Sequence, residues 1–133
     1  MNKNTFGKAE RLNKKHIIET MFAGKAKSFA IFPLRVLFIP LDSLAVPATI
    51  LISVSRKRFK RAVERNRVKR QIRETYRKNK YKLLCALEEK EQKIAIAFIY
   101  LDNKLIPSAE MEKKMKSSLT RCIDILIKEE NTI

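Results

Sequence analysis

The sequence predicts an α+β fold in which helices pack on a small mixed β-sheet. Three apolar runs are rich in aromatic and β-branched residues, as strands are, and they cover residues 29–39, 48–55 and 94–101. Three other segments carry apolar residues at helical spacing, over residues 11–23, 62–79 and 108–126. The resulting order, α-β-β-α-β-α, is typical of a domain whose helices lie on one side of a sheet.

Length and composition indicate one strongly basic domain. A chain of 133 residues with 45% hydrophobic and 33% charged residues is typical of a folded protein, since disordered chains are less apolar. We expect a single domain over residues 1–133 whose ends, 1–9 and 129–133, are loosely attached. The formal net charge of +16 indicates a polyanionic partner.

Several classes of protein are disfavoured by what the sequence lacks. It has two distant cysteines, Cys85 and Cys122, and a lone His16, so a structural zinc site is not expected. Two glycines cannot build a glycine-rich phosphate loop, and no nucleophile motif is present, which favours a binding module over a stand-alone enzyme. The N-terminus has no apolar run of signal-peptide length and no stretch approaches the length of a membrane span, which predicts a cytoplasmic protein with reduced thiols and no membrane partner.

The first helix is predicted from its apolar spacing and its end. Apolar side chains recur along residues 11–23, and Gly24 follows where a helix C-cap is expected. On such a helix Phe22 is, from the residues alone, more often a core side chain than a ligand contact.

The strands are predicted from three apolar runs of different character. Within 29–39, Pro33 marks an edge, a bulge or the true start of the strand. The closeness of 29–39 and 48–55 suggests an antiparallel pair. Residues 94–101 are continuously apolar, as expected of a strand covered on both faces.

Helical segments flank that third strand. Residues 81–92 before it read as a helical extension or a connecting turn, with Cys85 as a small buried apolar residue. In the last helix Ser108 can supply the N-cap. The predicted core seam of that helix consists of Met111, Met115, Leu119, Cys122 and Leu126.

Residues 56–80 carry most of the charge excess. This stretch contains thirteen Lys or Arg residues against only two acids, Glu64 and Glu74, a local net charge of +11. Such a density repels itself unless a polyanion neutralises it, and nucleic acid is the usual partner of a block of this kind.

The basic block is also patterned as a helix with two faces. Val68, Ile72 and Tyr76 form a stripe that would face a core. The opposite row would offer hydrogen-bond donors to a phosphate backbone, and it consists of Asn66, Arg70, Arg73 and Arg77. Arg65 falls on the apolar face, so we expect it to extend along its aliphatic stem or to lie at the helix mouth beside an anionic group. Just before the helix, the strand delivers Arg56 and Lys57 to the sheet edge, which makes an anion-binding corner.

Residues 53–74, SVSRKRFKRAVERNRVKRQIRE, resemble the signature of the bacterial ribonuclease P protein component. That signature runs from an S-V-x-K-K strand into an R-N-R-x-K-R-x-x-R helix. Its helix positions are matched one for one by Arg65, Asn66, Arg67, Lys69, Arg70 and Arg73. Arg11, Leu12 and Phe22 are similar to the first helix of the family, and Arg35 with Val36 to its first strand, so the resemblance covers about residues 9–127.

The resemblance implies a subunit that joins a catalytic RNA and helps remove the 5′ leader from precursor tRNA. The chemistry would belong to Mg²⁺ held by the RNA, with no catalytic residue in the protein and no protein metal site. The implied RNA-binding residues are Arg56, Lys57, Arg61, Arg65, Asn66, Arg67, Lys69, Arg70, Arg73 and Arg77. A cleft between the first helix and the open sheet face would hold the leader, lined by Ile18, Phe22, Val36, Phe38 and Lys57. Ile18 stands where relatives often have a second aromatic.

The family's topology also implies a left-handed crossover through the basic helix, against the usual right-handed preference.

Two other functions are compatible with the charge alone. A ribosomal component would bind RNA without taking part in catalysis, and the R-N-R helix directly after the S-V-S-R-K strand is what separates the two readings. A DNA-binding regulator would need a helix-turn-helix, whereas here a strand precedes the basic helix, so DNA is not an expected partner.

Overall fold

The structure, a computed structural model, describes residues 15–41 and 46–130, without the side chains of 15–17, 25, 129 and 130. Two helical segments come first, α1 (Lys15–Thr20) and the π-helical turn Met21–Lys25. The strands are β1 (Lys27–Ile31), β2 (Leu34–Pro40), β3 (Ala48–Ser53) and β4 (Ile94–Tyr100). The other helices are α2 (Ala62–Asn79), α3 (Tyr81–Glu89) and α4 (Ser108–Glu130). The α+β class and the predicted order are confirmed, with one predicted strand divided in two.

β4 is the centre of the sheet, whose strand order is β1-β2-β4-β3. β4 pairs antiparallel with β2 and parallel with β3, and residues 94–98 are all fully buried, as the continuous apolar run predicted. The predicted antiparallel pairing of residues 29–39 with 48–55 is wrong because β4 lies between them. A parallel pair requires a long connection, and α2 with α3 supplies it between β3 and β4. The left-handed sense of this crossover stays a prediction.

The predicted strand over residues 29–39 is a β-hairpin. β1 and β2 pair antiparallel, and the Phe32–Pro33 turn joins them through a cis peptide bond. The carbonyl oxygen of Pro33 accepts a hydrogen bond from the N–H of Leu101 at 2.7 Å, which ties the turn to the end of β4. Of the three roles predicted for Pro33, the start of a strand fits, since β2 begins one residue later.

The main core lies between one face of the sheet and helices α2, α3 and α4. Val68, Ile72 and Tyr76 of α2 are fully buried there, as the spacing predicted. The predicted seam of α4 is buried in the same core, as are Leu83 and Leu87 of α3. The helical reading of residues 81–92 is therefore confirmed over Tyr81–Glu89.

α1 and the π-helical turn lie against the opposite face of the sheet, so the prediction that all helices lie on one side is wrong. Met21 forms a second cluster with Leu37, Ala95 and Ala97. Gly24 has a φ of 89°, a conformation that favours glycine, which confirms the predicted end of the first helix. Residues 11–14, which the predicted helix included, lie outside the described part of the chain.

The two cysteines are free thiols in different surroundings. Cys122 is buried, and burial raises the pKa of its thiol to about 12, so the thiol is protonated and unreactive at neutral pH. Cys85 is only partly buried, so its prediction as a buried residue is wrong. Within the described residues no helix is long and apolar enough to span a membrane.

Candidate nucleic-acid interface

The structure sorts the predicted site residues into three groups by exposure. The exposed side chains are those of Arg56, Lys57, Arg61, Asn66, Arg67, Arg70 and Phe22. The partly buried ones are those of Arg65, Lys69, Arg73, Arg77 and Ile18. The buried ones are those of Val36 and Phe38.

α2 presents a basic face to solvent along its whole length. Eighteen residues make a helix of about 27 Å, and its apolar stripe faces the core while Asn66, Arg67 and Arg70 are exposed. Arg73 lies at the border of this face, where its Nε is buried and has no hydrogen-bond partner. The predicted division of α2 into an apolar and a basic face is confirmed.

One acid reduces the net positive charge at the C-terminal end of the basic face. Glu74 forms an ion pair with Arg77 one turn along α2. The hydrogen bond from Arg77 lowers the pKa of the exposed Glu74 carboxyl, so this carboxyl is ionised at neutral pH. The pair orients Arg77, and we expect the free phosphate-binding capacity of α2 to be concentrated toward its N-terminal half.

Arg65 ties the entrance of α2 to the loop before it. Its Nη1 donates to the carbonyl oxygens of Phe59 at 2.8 Å and Lys60 at 2.9 Å. Arg65 therefore lies near the N-terminal end of α2, which is one of the two predicted placements. Its guanidinium binds backbone carbonyl oxygens of the chain itself, where the prediction expected an anionic group. Phe59 is buried against the ring of Tyr100, with 5.9 Å between ring centroids. Arg65 thus helps to fix the loop that carries the exposed basic residues 56–61.

Replacing Arg65 with Gln should lower the free energy of unfolding by roughly 1.5 kcal/mol, the low end for hydrogen bonds to a charged group, because the site is partly exposed. Denaturant titration monitored by circular dichroism measures the change. The matched control is Arg67→Gln, which removes an exposed charge and should move stability by less than about 0.5 kcal/mol. Equal stability of the two variants would contradict an anchoring role for Arg65.

The loop between β3 and α2 forms a compact basic corner. The hydroxyl oxygen of Ser55 accepts a hydrogen bond from the N–H of Lys57 at 3.0 Å, and its carbonyl oxygen accepts from the N–H groups of Arg58 and Phe59. Arg56, Lys57 and Arg61 remain exposed around this turn. No side chain caps the N-terminus of α2, so its N–H groups add to the positive potential. Anion binding at this corner stays a prediction.

The open face of the sheet, opposite α2 and α4, is covered in part by the π-helical turn, which carries an exposed aromatic. Phe22 is 50% exposed, so the interpretation of Phe22 as a core residue is wrong. Ile18 is partly buried against the cluster that contains Met21 and Leu37. Phe22 is therefore an exposed aromatic side chain that can stack on a base.

Val36 and Phe38 do not line this cleft. They are 1% and 0% exposed and belong to the core beneath α2 and α4. Side chains alternate between the two faces of a strand, so the prediction chose the wrong parity in β2. Leu37, which lies between them in β2, faces the open side of the sheet and packs there with Met21.

The sequence reasoning also missed the polar edge of the open face. Arg35 pairs across the sheet with Ile99, which in turn pairs with Ser53. This row lies at the end of the sheet where β3 leads to Arg56 and Lys57. A charged residue inside the apolar run of β2 was the signal that could have identified the open face.

A family model described as Ribonuclease P matches residues 6–123 of the chain. The chain belongs to the ribonuclease P protein family. A Ribonuclease P protein component of Porphyromonas gingivalis is 42% identical over 120 residues, which are 88% of this chain and 87% of that one. A second, from Idiomarina loihiensis, is 36% identical over 84 residues, 59% of this chain and 62% of that one. Membership in this family supports the ribonuclease P reading over the ribosomal one.

Solved structures of ribonuclease P proteins share the fold. The protein of Staphylococcus aureus superposes with a TM-score of 0.71 at 24% identity, over 86% of this chain and 96% of that one. The protein of Thermotoga maritima gives 0.64 at 23% identity, over 84% and 96%. The arrangement of the sheet and helices is therefore the family's arrangement.

Proposed function

We propose that this chain joins the RNA of a bacterial ribonuclease P through its basic helix and helps that RNA to remove the 5′ leader from precursor tRNA in the cytoplasm. The observation that carries the proposal is the R-N-R motif at the start of α2, in which Asn66 and Arg67 are exposed, directly after the basic corner that follows β3. On this proposal the RNA holds the Mg²⁺ that cleaves the leader. The protein then contributes binding and positioning.

The sheet separates two surfaces that suit two different stretches of RNA. α2 lies on one face with Arg67 and Arg70 exposed, and this surface would contact the catalytic RNA. Phe22 lies in the π-helical turn that packs on the other face, Arg35 belongs to that face by the alternation of β2, and this surface would hold the unpaired leader. Exposed aromatics suit single strands, because stacking on a base contributes about 1 to 3 kcal/mol whatever the sequence.

Reconstitution tests the proposal directly. The purified protein is mixed with the RNA of a bacterial ribonuclease P and a precursor tRNA, and leader release is followed over a range of Mg²⁺ concentrations. The protein alone should release no leader, and it should lower the Mg²⁺ or substrate concentration that the RNA requires. Cleavage of precursor tRNA by protein free of RNA would overturn the proposal.

Arg70→Ala should weaken assembly with the catalytic RNA whether or not the tRNA carries a leader. Arg70 is exposed on the polar face of α2, so the substitution should change the free energy of unfolding by less than about 0.5 kcal/mol. Filter binding to the catalytic RNA, with thermal melts beside it, measures both effects. Lys82→Ala removes an exposed charge from α3 and serves as the control. Assembly that Arg70→Ala and Lys82→Ala affect equally would argue against α2 as the RNA surface.

A further inference from the structure

A groove runs along the outer side of α4, beside the edge strand β1. Two adjoining cavities of about 560 Å³ each lie there, and Ile31 and Ser117 line both of them. The groove extends from Pro107 to Lys128, which along a helix is about 30 Å. α4 contacts α2 through other residues, since Asn79 of α2 donates to Glu112 and Gln71 donates to Ser108. The groove is therefore separate from the basic face of α2 and from the open face beside α1.

The groove is basic although α4 as a whole is not. Two acids line it, Glu110 and Asp124. Its basic residues are Lys113, Lys114, Lys116, Arg121 and Lys128. Lys113, Lys114 and Lys116 form no ion pair within the described part of the chain. These three lysines are thus available to an anionic partner.

Two features, one in the groove and one next to it along the chain, favour nucleotides over an acidic protein segment. The guanidinium of Arg121 lies over the ring of Phe29, 5.4 Å from its centroid, which holds this exposed planar group in place. Bases of single-stranded RNA stack on fixed guanidinium planes and on aromatic rings. Phe32 lines neither cavity, but it follows the lining residue Ile31 in the β1–β2 turn and is 59% exposed. An acidic peptide would match the charges but would leave both stacking surfaces unused.

We propose that the groove between α4 and β1 binds a segment of single-stranded RNA. The lysines neutralise its phosphates, and Arg121 and Phe32 stack on its bases. The hydroxyl groups of Ser117 and Thr120 lie in the groove as hydrogen-bonding partners for phosphate or ribose oxygens. This site gives the protein a second contact with unpaired RNA, and it does not depend on the assignment of α2 to a catalytic RNA.

An NMR titration of the full chain with a ten-nucleotide oligouridylate locates the binding. Backbone amide signals of residues 113–128 and of Phe32 should shift with a common, saturating dependence on RNA concentration. Signals of residues 66–77 report α2 in the same spectra. Shifts in α2 without shifts in the groove would overturn this proposal and leave the proposed function standing. Shifts in the groove would support this proposal, whereas the proposed function is decided by reconstitution with the catalytic RNA.

A salt titration tests the role of the lysines. Binding of the same oligouridylate is measured in the double variant Arg67→Gln, Arg70→Gln, in which α2 contributes less to RNA binding. In this background the triple variant Lys113→Gln, Lys114→Gln, Lys116→Gln should reduce the slope of log affinity against log salt by about 2, because each phosphate contact of a single strand contributes about 0.7. Lys82→Gln in the same background is the control and should leave the slope unchanged. An unchanged slope in the triple variant overturns the proposal. Displacement of the RNA from the groove by equimolar decaglutamate also overturns it, in favour of an acidic protein partner.

Discussion

Raising the salt concentration from 50 to 200 mM should weaken binding of the catalytic RNA by about three to five powers of ten, if about 6 to 10 phosphate contacts form. Each side chain that neutralises a phosphate releases condensed counterions, and added salt opposes that release. The exposed or partly buried cations near α2 are numerous enough for this many contacts, namely Arg56, Lys57, Arg61, Arg67, Lys69, Arg70, Arg73 and Arg77. Fluorescence titrations at several salt concentrations measure the slope.

The variants Arg67→Gln and Arg70→Gln refine this test. Each should remove one contact and reduce the slope of log affinity against log salt by about 1, and the double variant should remove about 2. Arg65→Gln is a useful comparison, because the Nη1 of Arg65 is engaged with the carbonyl oxygens of Phe59 and Lys60. A salt response that is flat in the unmodified protein would mean that α2 is not the RNA surface.

Local patterns predicted the parts of the fold that depend on one element at a time. The two faces of α2 followed from its apolar spacing over eighteen residues, because a helix places residues i and i+4 on one side whatever it packs against. The burial of β4 followed from its unbroken apolar run, since a strand that is covered on both faces needs no polar side.

The predictions from sequence failed for contacts between distant segments. Proximity along the chain favoured pairing of residues 29–39 with 48–55, but β4, forty residues further on, inserts between them. The position of α1 on the opposite face from the other helices is a further fact of tertiary packing. Periodicity within α1 identifies its apolar side and cannot identify the face of the sheet that this side covers.

The wrong assignment of Val36 and Phe38 to the cleft has the same cause. In β2 both faces are largely apolar, because one packs under α2 and α4 and the other lies against α1. Alternation within the strand therefore divides its residues into two sets, but it does not show which set faces away from α2 and α4. Arg35 is exposed and belongs to the same set as Leu37, which places Val36 and Phe38 in the core. The proposed leader cleft keeps Ile18, Phe22 and Lys57 from the sequence-based assignment, loses Val36 and Phe38, and gains Arg35.

Phe38→Ala should lower the free energy of unfolding by about 3 to 5 kcal/mol, the usual result of emptying a packed Phe site. Phe38 is fully buried and packs edge-on against Phe29, with 6.4 Å between ring centroids. Small domains are stable by only about 5 to 15 kcal/mol, so a large part of the stability would be lost. Thermal and denaturant melts measure the loss, and binding of precursor and mature tRNA should fall together.

Phe22→Ala is the matched variant on the open face, and it should show the opposite pattern. Half of the Phe22 side chain is exposed, so its removal should change stability by less than about 1 kcal/mol. Loss of one stacked base, worth about 1 to 3 kcal/mol, should weaken precursor tRNA binding by roughly 5- to 150-fold. Mature tRNA, which has no leader to stack, should bind as before. If Phe22→Ala instead lowers the melting temperature as much as Phe38→Ala and weakens both tRNAs equally, then Phe22 supports the fold and the cleft has no aromatic to hold a leader.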